Sequence, residues 1–227
     1  MTLIINILSF GVLIAEIVAT IVGLSRRRYL SNSFWSYFPL YLLWVSLLDW
    51  TGMIMRYLHL MNVNKFIYNY LVSPSEFLFF CWLLGKMIYN KGYYRNFSII
   101  FSSIYAVIWV IDIVYLSKLD YGFSSFSYTV GNIFLIILIL IYLFFILVYD
   151  SVIEFTKTID FWVIIGITTY YLLSFPYYGT YNTLLYKYKN IFEPYQAIVA
   201  FLSITMYIFF TVGFLSLKPE KSKFNQT

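Results

Sequence analysis

Long apolar runs, broken by short polar or charged stretches, set the pattern along the chain. Crossing a hydrocarbon core of about 30 Å takes roughly 20 mostly apolar residues in a helix. Seven runs meet that length: Leu3–Leu24, Pro39–Met61, Phe66–Tyr89, Phe97–Ser117, Phe126–Tyr149, Phe161–Tyr181 and Tyr195–Leu217. Lipid offers no partner to an unpaired backbone N–H or C=O, and the alternating ten-residue segments of a membrane barrel are absent. The predicted class is therefore all-α, a polytopic membrane bundle of seven transmembrane helices.

Composition reinforces the pattern. Of 227 residues, 62% are hydrophobic, 23% aromatic and 11% charged, whereas a soluble domain carries about a quarter charged residues. A water-facing surface cannot be built from this set. The net charge of +5 does not point to nucleic acid, because the basic residues fall in short clusters between apolar runs and form no stripe. The lone cysteine, Cys81, excludes an internal disulfide and reads as a small buried hydrophobe. Met1-Thr2-Leu3 enters the first run without a basic leader, so that run is expected to be a retained helix.

Basic residues in short loops stay on the cytoplasmic side. With the N-terminus outside, the inner loops and tail hold ten of the fifteen: Arg26, Arg27, Arg28, Lys86, Lys91, Arg95, Lys157, Lys218, Lys221 and Lys223. Lys65, Lys118, Lys187 and Lys189 fall outside, and Arg56 falls within a span. The expected arrangement is one domain over residues 1–217, N-terminus outside, followed by a short cytoplasmic tail over 218–227. The longest connection is expected around Asn182 to Pro194, about a dozen residues. Trp35, Tyr37, Tyr89, Tyr177, Tyr178 and Tyr195, near span ends, fit interfacial belts.

Ionisable side chains inside spans are costly and are functional candidates by default. Here they are Glu16, Asp49, Arg56, His59, Glu76 and Asp112, with Asn69, Asn132 and Gln196 as neutral companions. Asp49, Gly52, Arg56 and His59 recur on one face of the second helix, as do Asn69, Ser73 and Glu76 on the third. A turn centred near Val63-Asn64 would set Arg56 within reach of Glu76 or Asp49. With Asp112 and Asn132 at a similar depth, a polar, Tyr-rich cluster is expected between helices two, three, four and six. Two readings stand at this point: buried pairs that fix helix register, or a ligand site, which the excess of carboxylates over Arg56 favours. His59 reads as an interfacial or paired residue, since no second His exists to complete a zinc site. Pro74 and Pro176 should kink their helices and free the carbonyls of Tyr70 and Leu172.

Several signatures are missing. The seventh span has no lysine for a retinal Schiff base, and there is no phosphate loop, His-Glu-x-x-His, Gly-x-Ser-x-Gly or paired-Asp motif. No metal or cofactor is expected.

At Tyr68-Asn69-Tyr70 with Glu76-Phe77-Leu78-Phe79-Phe80, and at Phe161-Trp162-Val163-Ile164-Ile165-Gly166 with Tyr170-Tyr171, the sequence resembles uncharacterised seven-helix membrane proteins common in Bacteroidota. That resemblance implies an inner-membrane location and brings no activity. Pro74, Glu76 and Phe79-Phe80 also resemble the Pro-x-Glu-Glu element of heterodimeric-type lycopene cyclase domains, with Phe77 at the second acidic position. This second resemblance implies an acid able to protonate a polyene.

The leading expectation is a non-enzymatic inner-membrane protein that senses a small or lipophilic ligand, or serves as the membrane partner of a cytoplasmic signalling or effector protein. The rivals are an intramembrane enzyme on an isoprenoid or lipid, with Glu76 or Asp49 as proton donor, and a proton- or cation-coupled transporter. Expected partners are the bilayer, the ligand and the cytoplasmic protein; a homo-oligomer is compatible with the sequence.

Overall fold

A computed structural model describes residues 2–30, 33–90, 97–116, 123–149 and 157–217. The tail over 218–227, and with it Lys218, Lys221 and Lys223, lies outside the described residues, as do Lys91, Arg95, Lys118 and the side chain of Tyr89. Seven helices are long and apolar enough to cross a membrane, and no strand occurs among the described residues. We label them α1 (Thr2–Arg26), α2 (Phe38–Tyr57), α3 (61–90), α4 (97–116), α5 (Ser125–Tyr149), α6 (Ile159–Lys187) and α7 (Lys189–Leu215).

Two of these helices change pitch. In α3, an α-helical turn over Met61–Phe66 passes into a π-helical stretch, Ile67–Val72, and returns to α-helix over Ser73–Asn90. The π-stretch ends where Pro74 lacks an N–H, so the chain relieves the proline by widening the turn before it. The carbonyl that finds an outside donor there is that of Asn69, which accepts the Trp109 indole N–H at 3.0 Å. In α4, Phe97–Ile111 is α-helical and Asp112–Leu116 is π-helical.

The helices close a ring in the order α1, α2, α3, α5, α6, α7 and back to α1, with α4 packed outside on α3 and α5. Only 11% of the α4 membrane window is buried, against 61% for α3. Without a hydrophobic driving force between helices in lipid, close approach of backbones supplies the attraction, and small residues permit it. A Cβ on Gly85 would collide with the Ser98 Cβ, and one on Gly131 would lie 2.6 Å from the Phe77 ring. These contacts press α4 and α5 against α3.

Two expected connections differ. α6 continues to Lys187 and α7 begins at Lys189, so Tyr188 alone stands where a dozen-residue link was expected. Hydropathy marks the edge of the apolar run, but a helix keeps its backbone bonds beyond it. At about 1.5 Å per residue the 29 residues of α6 span roughly 44 Å, longer than a hydrocarbon core. Pro194 lies inside α7 near its exposed start, where water can serve the freed carbonyl.

The α2–α3 turn lies at Leu58–Leu60, not near Val63-Asn64. His59 has φ 59°, the left-handed conformation. Its N–H donates to the Arg56 carbonyl at 3.1 Å, and Leu60 N–H donates to the Met55 carbonyl at 2.8 Å, together a Schellman terminus that ends α2.

The belt assignment holds unevenly. Tyr37 and Tyr195 are exposed, whereas Trp35 and Tyr177 are buried, Trp35 against Phe34 and Phe38.

Candidate functional site

The shift of the α2–α3 turn moves the whole register of that helix pair. Tyr41 stacks on Phe79 with ring centroids 3.9 Å apart, and Gly52 faces Asn64 and Tyr68. This pairing sets Asp49 near the level of Tyr70, and Glu76 near Leu42 to Trp44. Glu76 is therefore about six residues, or roughly 9 Å, deeper than Asp49, and about 20 Å from the level of Arg56. The expected Arg56–Glu76 pair is out of reach. Arg56 is exposed, faces Asp49, Tyr177 and Tyr181 electrostatically, and forms no ion pair among the described residues.

Inside the ring lies a cavity of about 670 Å³. Its walls come from α1, α2, α3, α5, α6 and α7, with Phe123 from the segment before α5. Asn6, Tyr57, Asn64, Lys65 and Tyr186 stand at the helix ends that share the N-terminal face and form its mouth, beside Arg56. Tyr41, Phe80 and Phe210 lie at its far end. Along α2 the lining runs from Tyr57 to Tyr41, a depth of about 24 Å. The expectation that helix four would wall the pocket is corrected: α4 supplies no lining residue, because it packs outside the ring. Residue counting along a helix gives depth but not position around the bundle.

Carboxylates occupy the cavity at two levels. Asp49 lines the wall, and its Oδ1 is buried with no hydrogen-bond partner among the described residues. Glu16, on α1, extends the face made by Asn6, Ser9 and Leu13 by one further turn, against Asp49 and the Tyr207 hydroxyl. It is fully buried, and neither carboxylate oxygen is in hydrogen-bond geometry with the groups it adjoins among the described residues. Its level is fixed by α7, which runs parallel to α1: Gly11 touches Ile204 and Gly23 touches Phe214, which places Glu16 beside Tyr207. Deeper in the cavity, the Tyr171 hydroxyl donates to Glu76 Oε1 at 2.5 Å, and Tyr128 adjoins the same carboxylate. Tyr170 and Tyr178 share a hydroxyl–hydroxyl hydrogen bond of 2.8 Å on the α6 wall.

The remaining candidates separate from this group. Asn69 and Gln196 line the cavity, but Asn69 Oδ1 also accepts the Ser124 N–H at 3.2 Å. Asp112 is buried and its Oδ2 accepts the Ser127 N–H at 2.8 Å. Together they cap the start of α5, where helix N–H groups lack partners and a carboxylate favours the positive end of the helix dipole. Asp112 borders a separate cleft of about 370 Å³ with Ser125, Thr129 and Asn182. Asn132 is buried on α5 outside the cavity lining. His59 is exposed at the turn and also lies outside the lining.

A cluster between helices two, three, four and six leaves out α1, and so Glu16, because the α1–α7 contact that brings Glu16 beside Asp49 joins elements distant in sequence. Sequence reasoning also missed the α6 wall of Tyr170, Tyr177 and Tyr178, taking the last two for belt residues. Among the described residues, no group of three His, Cys, Asp or Glu side chains is arranged to hold a metal ion.

Fold and site together define an integral membrane protein with an internal, acid- and tyrosine-lined cavity. No family model matches the chain, and neither a curated protein nor a solved structure matches it.

Proposed function

We propose that this chain is a non-enzymatic protein of the bacterial inner membrane that takes a small ligand into the helix ring, acting as a sensor or as the membrane partner of a cytoplasmic protein. The observation that carries the reading is the cavity itself. At about 670 Å³ it has the volume of a small-molecule site, and its lining combines aromatic faces with a few converging polar groups. A structural role for the acids would bring them into pairs with Arg56, and no such pair forms among the described residues. The bias of Lys and Arg in the sequence toward the connections after α1, α3 and α5, with Arg26, Arg27 and Arg28 at the end of α1, supports an orientation with the mouth outside and these ends toward the cytoplasm. Those ends would meet either a protein partner or anionic headgroups.

A second reading is favoured by one specific contact. Glu16 and Asp49 adjoin each other inside the membrane, an arrangement suited to proton- or cation-coupled transport.

Ser203 of α7 lies on the cavity wall, so Ser203→Trp would fill the space from within. Mass spectrometry of extracts from protein purified in non-ionic detergent is expected to show a small molecule retained by the parent chain and lost from a monodisperse Ser203→Trp variant. Identical extracts from the two proteins would contradict ligand uptake. pH-dependent flux in vesicles would favour transport over sensing.

A further inference from the structure

We infer that the cavity takes an organic monocation, an ammonium group carried on an apolar or aromatic body, with its charged head at the level of Glu16 and Asp49. This rests on the ligand-binding reading above and names the chemistry of that site.

Below the mouth the cavity contains no basic side chain, while Arg56 and Lys65 both stand at the entrance. Two carboxylates, Asp49 and Glu76, line its interior, and a third, Glu16, lies behind the wall against Asp49 and Tyr207. A buried carboxylate in a membrane needs either a proton or a cationic partner, and leaving it charged and alone costs several kcal/mol or more. Glu76 has the Tyr171 hydroxyl as partner. Glu16 is wholly buried against a second acid, Asp49, and the Tyr207 hydroxyl, with no cation beside it among the described residues.

The walls at this depth are aromatic as well as acidic. Tyr68 and Tyr207 border the cavity around this level, with Tyr41 deeper, and aromatic faces attract a cation while excluding water. An alkyl- or aryl-ammonium satisfies both kinds of surface, its charge on the carboxylates and its body on the rings. About 670 Å³ far exceeds what a desolvated metal ion fills, and a metal would need a tight set of ligands that the described residues do not provide.

The full chain in maltoside detergent is to be titrated calorimetrically with benzyltrimethylammonium, with its neutral carbon isostere neopentylbenzene, and with phenylacetate. The cation is expected to bind at least tenfold more tightly than either. Glu16→Gln, which keeps the side-chain volume, should reduce cation affinity at least tenfold without changing the response to the neutral compound. Asp49→Asn is the second variant should Glu16→Gln fail to give a monodisperse protein. Displacement of the probe by phosphatidylethanolamine, but not by phosphatidylglycerol, would assign the ammonium to a lipid headgroup; no displacement by either would assign it to a free amine. Equal binding of the cation and its neutral isostere, or cation affinity unchanged within twofold in both variants, would overturn the inference while leaving the ligand-binding reading in place. If no probe binds and the purified protein retains no small molecule, both fall.

Discussion

The two halves of the bundle are built from the same helices and differ in what fills them. Toward the N-terminal face the ring surrounds a cavity, and α6 presents Tyr170, Tyr177, Tyr178 and Tyr181 to it. Toward the opposite face the ring is closed by Phe rings. Phe38 lies 5.0 Å from Phe210, 5.5 Å from Phe214 and 6.0 Å from Phe79, centroid to centroid, and is wholly buried. Glycines let the backbones close around these rings: a Cβ on Gly23 would lie 2.8 Å from Phe214, and one on Gly166 would lie 3.1 Å from Phe210. Phe and Tyr differ by one hydroxyl, and a buried hydroxyl needs a partner. With Phe38 and Phe214 where the helices meet and the α6 tyrosines where they part, one half packs dry around Phe38 and the other has a polar wall.

The sharpest way to break this comparison is to create space in the closed half. Phe38→Ala should destabilise the protein by roughly 3–5 kcal/mol, as for a large aromatic truncated in a packed core. Thermal unfolding in detergent should show the midpoint falling steeply. A loss no larger than that of an exposed-site control would mean that this half is not close-packed. A smaller effect of opposite sign is expected at the turn on the cavity side. His59 holds φ 59°, which costs an L-residue about 1–2 kcal/mol. His59→Gly removes that strain but adds freedom to the unfolded chain, for a net gain of roughly 0.5–1 kcal/mol. The same unfolding measurement checks it, and destabilisation would show that the imidazole has a partner. The smallest effect belongs to Arg56→Ala. Because Arg56 is exposed and unpaired among the described residues, stability should change by less than about 0.5 kcal/mol. A loss of several kcal/mol would restore the buried ion pair that the register excludes.

The seven helices were legible because each run satisfies a length that the membrane imposes, whatever its neighbours do. The polar candidates were legible for a similar reason, since Glu16, Asp49 and Glu76 stand out against apolar surroundings. What joins which was not. The left-handed turn at His59 carries no Gly or Asn to announce it, and moving the turn by about four residues displaced Glu76 by more than a helical turn relative to α2. The exclusion of α4 from the ring depends on the Gly85 and Gly131 contacts, which concern partners distant in sequence. The roles of Asp112 and Asn69 as caps for α5 depend on where α4 and the π-stretch of α3 end. The sequence shows that these residues are polar and at membrane depth, but not that their partners are backbone N–H groups.

The ring is open from the N-terminal face to the level of the acids and closed beyond it. Cysteine accessibility tests this directly. In a Cys81→Ser background, single substitutions Ser203→Cys on the cavity wall and Ala19→Cys in the closed half would be exposed to a small, charged, membrane-impermeant thiol reagent applied to each side of sealed vesicles. Ser203 lines the cavity and Ala19 is wholly buried. Rapid labelling of Ser203→Cys is expected from the side that carries the N-terminus, and none of Ala19→Cys from either side. Protection of Ser203→Cys from both sides, or equal labelling of the two positions, would contradict it.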